Sequence, residues 1–200
     1  MLSLPRTTEV NKPIFKKQVY AALGMDAKAR ESVDKDVTKL YLANEISPAS
    51  VNIVAGEKVA AIFVMRVVLK AESFSEKTIS ALYKLIGQNM VLVLEYESKA
   101  KLAVFYNKLY QTDWQQVGEL SLSLTGLNLD TVWDNIIKTI SGGDWGADTD
   151  LATGLAEKER KEKIKKEIAL LEKQAWKEKQ PKKKFELVQK INKLKKELEA

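Results

Sequence analysis

The 200-residue sequence contains no cysteine and no histidine. Without cysteine there is no disulfide, no thiolate nucleophile and no structural zinc site of the usual kind. Without histidine the chain lacks the commonest general base and the commonest transition-metal ligand. Walker loops and dinucleotide-binding glycine patterns are missing as well. We therefore identify no catalytic residue, no metal ligand set and no cofactor site, and any catalysis would depend on carboxylates, lysine, tyrosine or serine.

The sequence also lacks a long apolar run. Its longest one, Val59 to Leu69, is interrupted by Arg66 and is too short to span a bilayer as a helix. The first six residues do not combine a basic flank with an apolar segment, so they are not typical of a signal peptide. These features predict a cytoplasmic protein that does not contact a membrane.

The same run dominates the fold prediction. Residues 58–70 contain neither glycine nor proline, and apolar side chains alternate onto both faces of the extended chain. A strand of this kind is central and is covered above and below. Further strands are predicted at 37–46, 90–96, 100–106 and 120–124. The expected fold class is α+β, with one mixed or antiparallel sheet over residues 37–125 and helices packed on it.

Helical segments are indicated by spacing and by capping residues. Residues 14–23 carry apolar side chains at helical spacing and are followed by Gly24. Asp26, Ser75 and Asp130 each precede a helical pattern and are of the type that caps helix N-termini. Residues 1–13 hold two prolines and few apolar side chains, so they are expected to form an extended lead-in.

Charge is distributed unevenly along the chain. Residues 156–200 hold 16 basic and 9 acidic side chains, a net charge of +7, whereas the preceding residues have a net charge of −1. This contrast predicts a nearly neutral globular domain at 1–146, a polar linker at 147–154 and a basic helical tail at 155–200.

The tail contains two narrow apolar seams. Their members step by four, three and four residues, as on one side of a helix; they are Ile164, Ile168, Leu171 and Ala175, then Leu187, Ile191, Leu194 and Leu198. The two seams do not share one heptad register, and Pro181 between them suits the first turn of a new helix. We favour two helices folded back as an antiparallel hairpin, with a single kinked coiled coil as the alternative.

The tail is also the predicted binding element. The residues expected to contact a partner protein are Ile164, Ile168, Leu171, Trp176, Phe185, Leu187, Ile191, Leu194 and Leu198. Lys182, Lys183 and Lys184 are candidates for contact with nucleic acid through phosphates. The tail lysines alternate with glutamates over apolar seams, and the only aromatic residues of the tail, Trp176 and Phe185, both flank the turn instead of being interleaved with the lysines. A packing or partner helix is therefore favoured over a nucleic-acid arm.

Three local groups elsewhere resemble chemical motifs. Glu97-Ser98-Lys99 matches half of the signature of restriction-endonuclease-like nucleases, but it follows a strand at a predicted hairpin turn, which favours a solvated turn. Arg66 is expected to pair with a strand carboxylate such as Glu95. The linker carboxylates Asp144, Asp148 and Asp150 have a spacing that fits no calcium loop, which favours a flexible linker.

Short stretches along nearly the whole chain resemble the bacterial family called domain of unknown function 4391. These stretches are Leu4-Pro5, Glu9–Lys12, Lys16-Lys17, Ile46–Pro48, Asn52-Ile53, Leu94–Tyr96, Thr125–Asp130, and Lys177–Gln180 through Leu194–Leu198. None of them is a catalytic motif, so the resemblance transfers no functional residue. It implies a genomic setting beside helicases and DNA methyltransferases, in loci that look like anti-phage defence.

Two functions follow as expectations. The first is a non-enzymatic accessory subunit of a DNA-acting complex, attached through the tail to a helicase or DNA methyltransferase. The second is a degenerate restriction-endonuclease-like domain, or another domain that binds DNA directly.

Overall fold

The structure is a computed structural model that describes residues 2–84, 87, 89–146 and 149–199. Its contacts divide the chain into two compact units, Met1–Gly142 and Gly143–Ala200. We call the first unit the sheet domain and the second the hairpin unit. The strands are β1 (Glu9–Ile14), β2 (Val37–Ile46), β3 (Ile62–Leu69), β4 (Met90–Tyr96), β5 (Lys99–Tyr106), β6 (Lys108–Gln111) and β7 (Gln115–Gln116). The helices are α1 (Lys16–Ala22), α2 (Ala27–Asp36), α3 (Glu76–Tyr83), α4 (Leu129–Ser141), α5 (Leu151–Lys177) and α6 (Pro181–Glu199).

Within the described residues the strands form one seven-stranded mixed sheet. Strands β1 to β6 lie side by side in chain order, and β7 pairs with β5. The β3–β4 pair is parallel and is connected through α3, whereas the other pairs are antiparallel. The α+β class is confirmed, and the long apolar run lies inside the sheet, between β2 and β4.

Both faces of β3 are buried, which explains its composition. Met65 and Val67 belong to a buried cluster that also contains Val19 of α1, Val33 of α2 and Ile79 of α3. Successive side chains of a strand point to opposite faces, so Ile62 and Val64 face the other way, and both are fully buried. The buried side chains of α4 are not part of that cluster, and α4 packs on β5 and β6 of the same sheet.

Two of the three predicted N-caps, Asp26 and Ser75, are in the expected position, and the third is wrong. Asp26 does cap α2, since its side chain accepts a hydrogen bond from the Ala29 N–H at 2.7 Å. Ser75 occupies the N-cap position of α3 without a side-chain cap bond. Asn128, and not Asp130, caps α4 by accepting from the Thr131 N–H at 2.9 Å.

The edges of the sheet depart most from the sequence prediction. Residues 120–124 do not form a strand: Leu120 and Leu122 are buried, but Ser121 makes only an isolated bridge with Leu2. The alternation of apolar and polar residues at 120–124 therefore reflects the burial of the leucines. It does not indicate a strand, because among the described residues no neighbouring strand pairs with this segment over more than one residue. The first 13 residues are more structured than a lead-in, with a short 3₁₀ helix at Arg6–Thr8 followed by β1. Strands β1, β6 and β7 carry mostly exposed or half-buried residues, so they lack an apolar signal.

The hairpin unit contains two helices in contact. Three residues, 178–180, connect α5 to α6, and helices joined so closely can pack only as an antiparallel hairpin. Residues 151–154, expected in the linker, form the first turn of α5, which Asp150 caps by accepting from the Thr153 N–H at 3.1 Å. The Trp145 ring lies against Gly154, where a Cβ would collide with it. The segment before α5 is thus packed on the helix.

Candidate functional site

The two predicted seams pack on each other inside the hairpin. Ile164, Ile168, Leu171, Ala175 and Ile191 form one buried cluster. Leu187, Leu194 and Leu198 are partly buried and pack against it. Seven of the nine residues predicted to contact a partner are therefore engaged within the hairpin itself, because each seam is covered by the facing helix.

The other two predicted contact residues lie outside this cluster. Trp176 is 84% exposed and Phe185 is 62% exposed, one on each side of the connection between the helices. Leu170 and Val188 are also exposed on the hairpin. Large apolar side chains are normally the first to be buried, so aromatic rings this exposed are a surface feature that the packing of the hairpin does not explain.

The positive charge of the hairpin is concentrated at the same end. We call residues 173–190 the hairpin tip. They contain seven lysines and two glutamates, a net charge of +5 out of the +7 carried by residues 156–200. A groove of about 640 Å³ runs along the tip, lined by Gln174, Lys177, Glu178, Lys183, Glu186, Leu187 and Lys190. Trp176 and Phe185 do not line this groove, but both belong to the same cationic tip.

Ion pairs connect the two helices but leave the start of α6 uncompensated. Lys190 Nζ lies 3.1 Å from Glu167 Oε1, and Lys195 Nζ lies 2.9 Å from Glu172 Oε1. The first turn of α6 contains no acidic residue: it begins with Pro181 and continues with Lys182, Lys183 and Lys184. Among the described residues, no ion pair involves these three lysines.

The nuclease-like tripeptide lies at the turn between β4 and β5. Glu97 has a positive φ of 54° at this turn, and Lys99 Nζ pairs with Glu72 Oε1 at 3.5 Å. Both partners of that pair are about half exposed. The described part of the chain contains no group of three acidic side chains that could hold a metal ion. The arrangement is that of a hairpin turn with a surface ion pair.

The other two local predictions have different outcomes. Arg66 pairs with Glu95, as expected, with 2.6 Å between Nε and Oε2, and its guanidinium carbon lies 5.0 Å from the centre of the Tyr41 ring. In the linker, Asp144 is exposed and Asp150 is the cap of α5. Asp148 lies outside the described residues.

A lysine between two aromatic rings was missed by sequence reasoning. Lys101 Nζ of β5 lies 4.8 Å from the centre of the Phe74 ring and 4.8 Å from that of Trp114. Burial lowers the pKa of Lys101, while the nearby carboxylates of Glu76 and Asp113 act in the opposite direction. The cation holds the segment before α3 and the segment after β6 against the sheet. Nothing local in the sequence brings these three residues together.

Asp130 was predicted as a helix cap but serves a different purpose. Its carboxylate accepts hydrogen bonds from the backbone N–H groups of Glu57, Lys58 and Val59, at 2.8, 3.1 and 2.8 Å. The loop approaches so closely that a Cβ at Gly56 would collide with the Asp130 side chain. Asp130 thus fixes the loop before β3 to the first turn of α4.

These features define an α+β domain with a mixed sheet, followed by a basic helical hairpin. The family described as Domain of unknown function (DUF4391) matches residues 2–198, and the chain belongs to that family. Neither the search of curated proteins nor the search of solved structures finds a match. None of the helices in the described residues is both long and apolar enough to cross a membrane.

Proposed function

We propose that this chain is a non-enzymatic binding subunit of a DNA-acting bacterial complex, in the setting of anti-phage defence, and that it works in the cytoplasm. Its hairpin attaches it to a helicase or DNA methyltransferase subunit. The observation that carries the proposal is the exposure of large apolar side chains on a separate helical unit. Leu170 of α5 is 57% exposed, and Val188 of α6 is 40% exposed.

The dimensions of the hairpin suit attachment. Its helices contain 27 and 19 residues, which corresponds to lengths of about 40 Å and 28 Å. A helical surface of this length can lie in a groove of a partner and present apolar anchors at intervals. Because the seam is already filled from within, such a partner would bind the outer surface of an existing hairpin.

The polar groups of the sheet domain support binding over catalysis. Lys99 is paired with Glu72, and Arg66 is paired with Glu95 and stacked near Tyr41. The lysine of the nuclease-like tripeptide therefore takes part in an ion pair on the surface of the sheet domain. The DNA-acting setting comes from the family resemblance, which implies helicases and DNA methyltransferases as neighbours.

The test is co-purification with the helicase or methyltransferase encoded beside the gene. Leu171→Asp combined with Leu194→Asp places charge on both seams, so we expect it to open the hairpin and abolish co-purification. A chain that ends at residue 150 should unfold cooperatively and also lose the partner. Arg160→Gln, a substitution on α5 outside the seams, is the control and should leave the partner bound.

Three outcomes would contradict the proposal. If the chain ending at residue 150 folds and still retains the partner, the docking surface belongs to the sheet domain. If that chain does not fold, the hairpin is part of the structural core. Magnesium-dependent cleavage of DNA by the purified full chain would instead favour the restriction-endonuclease-like alternative.

A further inference from the structure

The lysines of the hairpin tip are poorly placed for stability. A helix N-terminus carries a partial positive charge, so cations in the first turn of a helix are unfavourable there. Lys182, Lys183 and Lys184 nevertheless occupy the start of α6, where the first turn has no acidic residue. Such a concentration of positive charge is typical of a surface that receives an anionic ligand.

The surroundings of the exposed rings indicate which anion. Protein–protein interface cores are depleted of lysine, and their energetic anchors sit among other apolar side chains. Trp176 is followed directly by Lys177, and Phe185 lies between Lys184 and Glu186. Isolated aromatic rings among lysines are the combination with which proteins bind single-stranded nucleic acid, because bases stack on the rings and lysines neutralise the phosphates.

We infer that the hairpin tip binds single-stranded nucleic acid, with Trp176 and Phe185 as stacking platforms and Lys182–Lys184 as phosphate contacts. Single strands are favoured over duplexes because the bases of a duplex are already stacked on one another and present no free face to a side chain. The inference rests on the proposed function only for the attachment of the hairpin: it assigns Trp176 and Phe185 to the nucleic acid and leaves the outer surface of α5 around Leu170 to the protein partner. It does not require the protein partner to be present.

The first experiment measures binding by the full-length chain alone. The probes are a labelled thymidine oligonucleotide of about 15 nucleotides, a duplex of similar length and a poly-glutamate peptide, the length being matched to the usual site sizes of single-strand binders. We expect the oligonucleotide to bind most tightly. Its affinity should fall with salt concentration, with a logarithmic slope of about −0.7 for each phosphate contacted.

Substitutions of the rings test the stacking. Trp176→Ala and Phe185→Ala should each weaken oligonucleotide binding about tenfold, within the range measured for base–aromatic contacts. Trp176→Phe should retain most of the affinity, since it keeps an aromatic face. Leu170→Ala is the matched control, because it truncates an exposed apolar side chain of the same hairpin outside the tip, and it should leave the affinity unchanged.

Substitutions of the lysines test the phosphate contacts. Replacing Lys182, Lys183 and Lys184 together by Gln should reduce the magnitude of the salt slope by about 2, since each contact contributes about 0.7. The control replaces Lys163, Lys165 and Lys166 by Gln. It removes the same charge from α5 outside the tip and should change the slope by much less. Circular dichroism of every variant serves as the control that the helices are kept.

Several results would overturn the inference. Equal affinity for the duplex, or unchanged binding in both Trp176→Ala and Phe185→Ala, would reduce the interaction to general electrostatic attraction. Binding of poly-glutamate without binding of the oligonucleotide would make the tip a docking site for acidic protein segments. If the unsubstituted chain does not bind the oligonucleotide but still co-purifies with its partner, only this inference is refuted. If it binds the oligonucleotide but does not co-purify, only the attachment to a protein partner is refuted.

Discussion

The sheet domain and the hairpin unit bury the same kinds of side chain to different degrees. Met65, Ile79 and Leu92 in the sheet domain have no exposed surface, whereas the five buried members of the hairpin seam keep 6–9% of theirs. A sheet covered on both faces surrounds its core completely, but two helices can cover each other only along one stripe. The comparison indicates that the sheet domain supplies the stability and the hairpin is the element free to serve binding.

A matched pair of substitutions tests this difference most strongly. Leu92→Ala in β4 should lower the free energy of unfolding of the sheet domain by about 4 kcal/mol, since a fully enclosed site cannot collapse around the cavity. Leu171→Ala in α5 should lower the free energy of opening of the hairpin by about 2 kcal/mol, because the partly exposed site can relax around the smaller side chain. It should leave the unfolding of the sheet domain unchanged. Urea unfolding combined with amide hydrogen exchange separates the two units. Equal losses would show that the hairpin seam is packed as tightly as the core of the sheet.

Substitution of the residue that holds the loop before β3 should destabilise the sheet domain less than Leu92→Ala does. Asp130→Ala removes the acceptor of three backbone hydrogen bonds and should cost about 2–3 kcal/mol, measured by urea unfolding at pH 7. The control is Asp134→Asn, one helical turn further along α4.

The direction in which folding shifts the pKa of Asp134 predicts whether Asp134→Asn raises or lowers stability. Partial desolvation raises this pKa, and the Asp130 charge raises it further, against the opposing effect of Lys58. A carboxyl whose pKa is higher in the folded state than in the unfolded state opposes folding when it is ionised. Asp134→Asn should therefore leave the stability at pH 7 unchanged or higher. A loss as large as that of Asp130→Ala would show that the loop contacts are not the reason for the Asp130 effect.

The parts of the fold that could be predicted depend on local patterns. The bounds of β2, Val37–Ile46, are those expected from its alternation, and the hairpin follows from two seams separated by Pro181. The Asp26 cap is equally local, because donor and acceptor lie three residues apart. In each of these cases the sequence neighbours are also the structural neighbours.

The parts that could not be predicted depend on distant contacts. Asn128 and Asp130 are both good capping residues, and the choice between them is decided by a loop more than 70 residues away along the chain. Lys101 is positioned by rings on two other segments. Trp176 was predicted to contact a partner together with the seam residues, but only the structure shows that it lies outside the buried cluster.

The smallest expected difference concerns one surface carboxylate in each unit. In the sheet domain, Asp34 Oδ1 accepts from Lys16 Nζ at 2.8 Å and from Tyr20 Oη at 2.7 Å, and these bonds lower the pKa of Asp34. In the hairpin, Glu167 has an exposed pair with Lys190, a type of contact that contributes about 0–1 kcal/mol. Because these contacts are exposed, we expect Asp34→Asn to be mildly destabilising at pH 7 and Glu167→Gln to be close to neutral.

The pH dependence of the Asp34 effect follows from the direction of its pKa shift. A carboxyl whose pKa is lowered by folding stabilises the protein above its unfolded pKa of about 3.9, and this contribution disappears as the pH falls through the folded pKa. The difference in stability between wild type and Asp34→Asn should therefore vanish in acid.

Burial first, and then the bond to Asp34, raises the pKa of Tyr20 to about 12, so Asp34→Asn should lower the pKa of Tyr20. Ultraviolet titration of the tyrosinate band measures that shift against Glu167→Gln as the control. If Asp34→Asn leaves the pKa of Tyr20 unchanged, the bond between Tyr20 and Asp34 contributes no more than the exposed ion pair of the hairpin.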